Sequence, residues 1–287
     1  MDVNDRKYLQ DKRIKIFTRS FSLEMYRRAS KLFDNQGVPV VRLTDQMADG
    51  YFFTILNDTH CDIAINIDED AFVIDMDAIW DLVEEVVEKE YANAGCPDGG
   101  GGCPRSGNPI VTNPFFNVLN LELIRTLPID KKSINHFNYR ARKNEMEAAF
   151  PKEMLYSKYD FNRYDYEPYY PFFFWLAYNF KTLYLHSEKH PDGISTILYN
   201  SKKKPICYHS WFARFYLTDS QQRKRIDALS DEVYNMRGLE KDTFTFADKV
   251  CFSFDYFVRF CVRIPMRISK WPGKWTKWYR HYQERKL

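Results

Sequence analysis

The chain has no stretch of 18 or more uncharged apolar residues, so no segment is expected to span a bilayer. Residues Met1 to Lys7 lack the apolar core of a signal peptide, and synthesis is expected to end in the cytoplasm. Neither G-x-G-x-x-G nor G-x-x-x-x-G-K-S/T occurs, which argues against a dinucleotide enzyme and a P-loop nucleotidase. The six cysteines form no standard zinc pattern. Cys96 and Cys103 stand in C-x6-C spacing with no second pair, leaving a redox disulfide as an open alternative there, and four of the six lie in apolar surroundings typical of reduced core thiols. Glycine is scarce, and six of the eleven fall between residues 93 and 109.

What is present suits a globular α/β protein. The 287 residues are 45% hydrophobic and 28% charged, enough for one large domain or two small ones with ample core. Aromatic content is unusual at 17%. The net charge of +3 conceals an asymmetry: residues 259–287 hold nine Lys/Arg against one acid, so the rest of the chain carries −5.

The sequence is organised around residues 62–74. Ile63-Ala64-Ile65-Asn66-Ile67 reads as a buried strand of a parallel sheet, and it runs into Asp68-Glu69-Asp70. Carboxylates are costly to bury unless they are paired or bind a cation. Open α/β sheets hold ligands at the carboxyl ends of their strands, where Asp68 and Asp70 can offer oxygens to a hard divalent ion. The plainer alternative is that the three acids merely start a polar loop.

Upstream, residues 13–18 and 38–43 predict strands, with a helix between them capped by Ser22. This order predicts parallel pairing and places Thr18, Arg19 and Asp45 near the acidic strand end. Residues 77–92 predict an amphipathic helix, for which Asp75 or Asp77 is the cap. The glycine-rich stretch that follows reads as a binding loop or mobile cover, carrying Asp98, Arg105 and Asn108; a disordered linker is the alternative. Asn113, Asn117 and Asn120 interrupt the next apolar run and need partners, from backbone or from ligand hydroxyls.

The succession of strand, helix, strand, the strand ending Ile67-Asp68-Glu69-Asp70-Ala71-Phe72-Val73, helix, glycine-bearing loop and Pro114-Phe115-Phe116-Asn117-Val118-Leu119-Asn120 resembles a glycosyltransferase of the GT-A type. The resemblance covers roughly residues 12–217. It implies an α/β fold, a Rossmann-like mostly parallel sheet flanked by helices, and a Mn²⁺ or Mg²⁺ cofactor bound by Asp70 with Asp68. Two departures stand out: Glu69 makes the triad fully acidic, and the glycine run is not general to such enzymes.

Many metal-dependent members complete the site with a late histidine, for which His209 is preferred over His186. Candidate nucleotide-sugar residues are Thr18, Arg19, Asp45, Asp68 and Asn117. Candidate catalytic acids are Asp98, Glu167 and Asp192, with Asp165 beside Glu167 as an alternative base. Each also reads as an ordinary loop acid. The aromatic residues from 156 to 178 suit stacking on sugar rings, although core packing is their commoner use.

The first 217 residues are expected to form the catalytic domain, with a donor half over about 12–95 and an acceptor half over 96–217, followed by a helical extension over 218–287. In that extension basic residues recur every three or four positions beside Trp271, Trp275, Trp278 and Tyr282, and Pro265 and Pro272-Gly273 are expected to break any long helix. Basic residues beside interfacial tryptophans predict a segment lying on an anionic membrane, worth about 1 kcal/mol per charge. A nucleic-acid patch and a tail packed on its own domain are the alternatives. The expectation is a peripheral enzyme on the cytoplasmic face of a membrane, moving sugar from a nucleotide-diphosphate donor to a glycan or lipid-linked acceptor. Its rivals are a metal-dependent nucleotidyl- or phosphotransferase, which should show an Arg or Lys clamp absent from the neighbouring sequence, and a non-catalytic carbohydrate- or RNA-binding protein.

Overall fold

A computed structural model describes residues 6–46, 48 and 50–269. The expectations for residues 270–287, including the tryptophan stripe, lie outside the described residues. The first half alternates strand and helix: β1 (Ile14–Arg19), α1 (Leu23–Ser30), β2 (Val40–Leu43), α2 (Tyr51–Leu56), β3 (Ile63–Ile67), β4 (Ala71–Val73), α3 (Met76–Glu88), β5 (Asn93–Pro97) and β6 (Thr112–Asn120). Short helices α4 (Leu121–Ile124), α5 (Lys131–Asn135), α6 (Tyr139–Ala149) and α7 (Tyr170–Asn179) follow. Then come β7 (Thr182–Tyr184), β8 (Ser187–Lys189), β9 (Thr196–Tyr199), β10 (Pro205–His209), α8 (Ser220–Met236) and α9 (Phe246–Ser269).

The main sheet has the order β2-β1-β3-β6-β5-β7. β1 pairs in parallel with β2 and β3, as the alternating pattern predicts, and β5 pairs in parallel with β7. β6 alone runs against its neighbours. The fold is therefore a mostly parallel α/β sheet flanked by helices, of Rossmann-like kind. β3 is buried along its length: Ile63, Ile65 and Ile67 enter one hydrophobic cluster and Ala64 the other, because successive strand side chains point to opposite faces. Helix signals hold locally. Ser22 accepts from Met25 N at 3.4 Å to cap α1, and Asp75, not Asp77, caps α3 by accepting from Ala78 N at 3.0 Å.

A second, antiparallel sheet runs β4-β10-β9-β8. It begins where the acidic turn leaves β3, so the Asp68–Asp70 segment joins the two sheets. β10 pairs with β4 in a register that sets His209 opposite Ala71, and Ser210 N donates to Asp70 O at 2.9 Å. Thus cross-strand pairing brings a late histidine to an early aspartate.

Two expectations are corrected, those for the glycine-rich stretch and for Pro265. The glycine-rich stretch is neither cover nor linker. Its start is β5, and Asp98 to Cys103 is packed almost entirely out of solvent against β8. Gly99 takes φ +82, and a Cβ on Gly102 would lie 2.4 Å from Glu188 O, so these glycines permit close backbone approach. The three asparagines find protein partners: Asn113 donates to Asp98, Asn117 to Thr112 Oγ1 and Asn93 Oδ1, and Asn120 caps α4. Pro265 lies inside α9 rather than ending it. Separately, α8 packs Ile226, Leu229, Val233 and Tyr234 into the same cluster as the sheet.

Candidate functional site

At the carboxyl end of β3, Asp68 sits beside Arg19 from the end of β1. Arg19 Nη2 donates to Asp68 Oδ2 at 3.0 Å, and the guanidinium lies over the Tyr51 and Phe21 rings. Burial pushes the Asp68 carboxyl up to about 6, more than Arg19 pulls it down. Burial opposes the charge of Arg19, but Asp68, Tyr51, Asp70 and Tyr169 together outweigh it and raise its pKa. Asp68 Oδ1 is buried without a hydrogen-bond partner.

Glu69 turns to the β1–α1 loop, where its Oε2 accepts from Ser20 Oγ at 2.8 Å and Ser22 N at 2.9 Å. Burial pushes its carboxyl up to about 7. Asp70 Oδ2 lies 3.4 Å from His209 Nε2. Burial raises the Asp70 carboxyl, yet His209 and then Arg19 outweigh it and hold it below the usual range. The His209 ring stacks on Phe115 at 4.1 Å, and its Nδ1 is buried and unpartnered.

These groups line a cleft of about 310 Å³, large enough to hold part of a nucleotide. Its far wall carries Arg105, Glu167, Tyr169 and Trp211. Arg105 Nη1 donates to Glu167 Oε1 at 2.5 Å, while Nη2 donates to Tyr169 OH at 2.8 Å and to Asp98 Oδ1 at 3.2 Å. Burial works against this guanidinium, but Tyr169, Asp98 and Glu167 raise its pKa on balance. Arg214 lines the mouth, exposed and with no ion pair among the described residues. Trp211 and Phe212, both lining the cleft, have left-handed backbone at φ 58, which costs a non-glycine residue about 1–2 kcal/mol each. Strain of this kind clusters at functional sites.

Three guanidinium groups, from Arg19, Arg105 and Arg214, thus line the cleft of the acidic run, the first two paired with Asp68 and with Asp98 and Glu167. The glycine-rich loop delivers Arg105. Composition of that loop was the available signal for Arg105; no sequence pattern marks Arg214.

The structure brings Arg19, Asp68, Asp70, Glu167 and His209 to one cleft. It places other candidates elsewhere. Asp98 is fully buried behind Arg105, accepting from Tyr170 OH at 2.7 Å and Asn113 Nδ2 at 2.9 Å, so it braces the wall instead of facing substrate. Asn117 is locked in the β5–β6 core, and Thr18 is buried one residue short of the cleft-lining Arg19. Asp45 is engaged by Arg259 and Arg263 of α9. His186 is exposed and pairs with Glu188, which leaves His209 as the histidine beside Asp70; Asp165 is exposed and does not line the cleft.

Asp192 pins the β8–β9 turn, accepting from Ser195 N at 2.7 Å, Ser195 Oγ at 2.6 Å and Arg225 Nη1 at 3.2 Å. Burial opposes its charge, but Ser195, the backbone N–H groups of Ile194 and Ser195, and Arg225 lower its pKa to about 2. A carboxylate depressed on folding stabilises at pH values above its ordinary range and loses that contribution as pH falls through the folded value. Asp192→Asn is expected to destabilise the protein by about 1 kcal/mol at neutral pH, allowing for partial solvent screening, with the difference vanishing near pH 2. Urea midpoints of both proteins across pH check this; a pH-independent gap would refute it.

Whether these residues fit a divalent ion can be asked of the atoms themselves. Among the described residues no three His, Cys, Asp or Glu side chains converge as a ready-made metal cage. Mg²⁺ sites, however, are commonly made by one or two carboxylates plus substrate phosphates rather than an all-protein cage. Asp70 and the uncommitted Asp68 Oδ1 are a carboxylate pair of that kind, with His209 Nε2 beside Asp70.

No family model matches the chain. No curated protein matches it. Among solved structures, A197 from STIV is similar at 11% identity and a TM-score of 0.33, over 68% of this chain and 93% of that one. A glycosyltransferase involved in the glycosylation of the major capsid of PBCV-1 is similar at 13% identity and a TM-score of 0.30, over 51% and 80%. Similarity this weak carries no argument about activity; the cleft's own geometry must.

Proposed function

We propose that the cleft binds a nucleoside diphosphate sugar and transfers the sugar to a hydroxyl of a glycan or lipid-linked glycan. The observation that carries this reading is the pair of buried, unpartnered atoms, Asp68 Oδ1 and His209 Nδ1, in a cleft that also holds Asp70, Arg105 and Arg214. Arg19 keeps Asp68 in place. Arg105 and Arg214 supply positive charge for a diphosphate, Arg105 from a half-buried position fixed by Glu167, Tyr169 and Asp98. Bound through Asp70, Asp68 and His209, Mn²⁺ or Mg²⁺ would neutralise charge developing on the departing nucleoside diphosphate.

Glu167 is the proposed general base. Arg105 holds its Oε1, and Oε2 is the candidate acceptor of the hydroxyl proton. Glu167→Gln is expected to lower turnover by about 10²- to 10⁴-fold while leaving donor affinity near wild type. Turnover within a few-fold of wild type would remove Glu167 from the chemistry.

The test of the whole reading is calorimetric titration of UDP and GDP, with and without Mn²⁺. Metal-dependent binding supports it, and absence of binding with both nucleotides in both conditions overturns it. A nucleotidyl- or phosphotransferase is the second reading, favoured by the three arginines. Products separate the two: sugar transfer releases nucleoside diphosphate, nucleotidyl transfer releases pyrophosphate.

A further inference from the structure

Helix α9 is amphipathic with its faces reversed. Four of its charged side chains turn inward, while Lys249 near its start is exposed: Asp248 pairs with Arg27 at 2.7 Å, Asp255 with Arg42 at 3.0 Å, and Arg259 and Arg263 with Asp45. Phe252 is the buried apolar residue on that side, under Arg27. The outward stripe is apolar. Phe246, Val250, Phe254, Phe257, Phe260 and Ile264 recur at spacings of three and four, which places them on one face of a helix. Phe246 is 83% exposed, Phe254 66% and Phe257 62%. A helix of a water-facing surface would show the opposite arrangement, and an exposed apolar patch of this size marks an interaction surface.

The chain around this face indicates what covers it. No helix among the described residues is long and apolar enough to cross a bilayer, so the stripe suits contact along a surface rather than a span. Immediately beyond α9 the sequence carries Lys270, Lys274, Lys277 and Arg280 interleaved with Trp271, Trp275 and Trp278, the composition that favours anionic headgroups and the membrane interface. In sequence that cationic, tryptophan-bearing segment directly follows the apolar helix face, a combination that suits an anionic bilayer.

We infer that the outer face of α9 lies in the interfacial region of an anionic phospholipid bilayer and holds the protein there together with the basic tail. The same helix abuts the cleft: Arg263 Nη2 donates to Phe21 O at 3.4 Å and its guanidinium lies over the Phe21 ring, which lines the cleft. Docking through α9 thus brings the cleft to the lipid surface, which, if the transferase reading holds, selects an acceptor carried on a lipid. The docking itself does not depend on that reading.

The experiment is vesicle flotation of the full chain with phosphatidylcholine vesicles containing roughly 30% phosphatidylserine. Wild type is expected to float and to remain bound at about 0.5 M salt, where charge attraction alone is screened. The double variant Phe254→Asp/Phe257→Asp is expected to partition at least tenfold less while binding UDP or GDP as wild type does. Independently of that variant, an environment-sensitive dye on Cys261, in a Cys251→Ser background, is expected to shift to the blue on vesicles. Equal flotation of variant and wild type, or complete release by salt, would assign binding to the tail and overturn the proposal. No flotation, with a dimer that the double variant dissociates, would assign the face to a second copy and overturn it equally. Failure of UDP or GDP binding with flotation intact would strike the transferase reading alone.

Discussion

Asp70→Ala is expected to abolish Mn²⁺-dependent binding of UDP or GDP and to lower turnover by at least about 100-fold. Asp70 is a buried carboxylate held below the usual carboxylate range, against its own desolvation, by His209 and Arg19. It is therefore ionised when a cation arrives. Removing it takes away charge and leaves His209 Nε2 without the carboxylate 3.4 Å away. Asp68 does not substitute, because one of its oxygens is committed to Arg19 and a single remaining oxygen cannot take the place of both carboxylates. Asp70→Asn, with the same shape and no charge, is expected to lose nearly as much. Calorimetry beside a thermal melt separates site loss from unfolding. Metal-dependent binding that survives in Asp70→Ala would eliminate the acidic turn as the donor site.

Asp98→Ala is expected to cost about 3–5 kcal/mol of stability, the range for removing one partner of a buried charged pair. Asp98 is wholly out of solvent and accepts from Arg105, Asn113 and Tyr170, tying β5, β6 and α7 to the loop that delivers Arg105. Without it Asn113 Nδ2 and Tyr170 OH remain buried and short of an acceptor, and Arg105 keeps only Glu167 and Tyr169. Space offers no easy repair: Gly107 packs so closely that a Cβ there would lie 2.8 Å from Asp98 Cγ. Urea unfolding measures the loss; a midpoint within error of wild type would show that the carboxylate does not brace the wall. Because Arg105 also anchors Glu167, turnover should fall with stability, whereas Glu167→Gln should lower turnover alone.

Legibility from sequence differed by residue. That Asp68 and Asp70 lie at a buried strand end was legible, because an isoleucine-rich strand running into three acids places carboxylates where burial is costly. Asp98 and Asp192 were misplaced as catalytic acids for the opposite reason. Both sit among turn-forming residues, and nothing local distinguishes a carboxylate facing a ligand from one satisfied by N–H and O–H groups. Asp192 is answered within three residues, by Ser195, whereas Asp98 is answered by Tyr170 and Arg105 from other segments. The glycine-rich stretch misled in the same way, since glycine's freedom suits an open loop and a tightly packed one equally.

By itself the sequence determined the alternation of strand and helix, the parallel pairing of the first three strands and the acidic end of β3. These follow from periodicity, capping residues and the cost of burying charge, all of which act between near neighbours. Only the tertiary structure decided that β6 runs against its neighbours and that the acidic turn begins a second sheet. It also decided that His209 rather than His186 faces Asp70, and that Arg105 and Arg214, distant along the chain, line the same cleft. It turned the charged face of α9 inward as well, because Arg27, Arg42 and Asp45, far away in sequence, offer that face its partners. Pairing of this kind depends on which distant segments meet, and no local pattern records it.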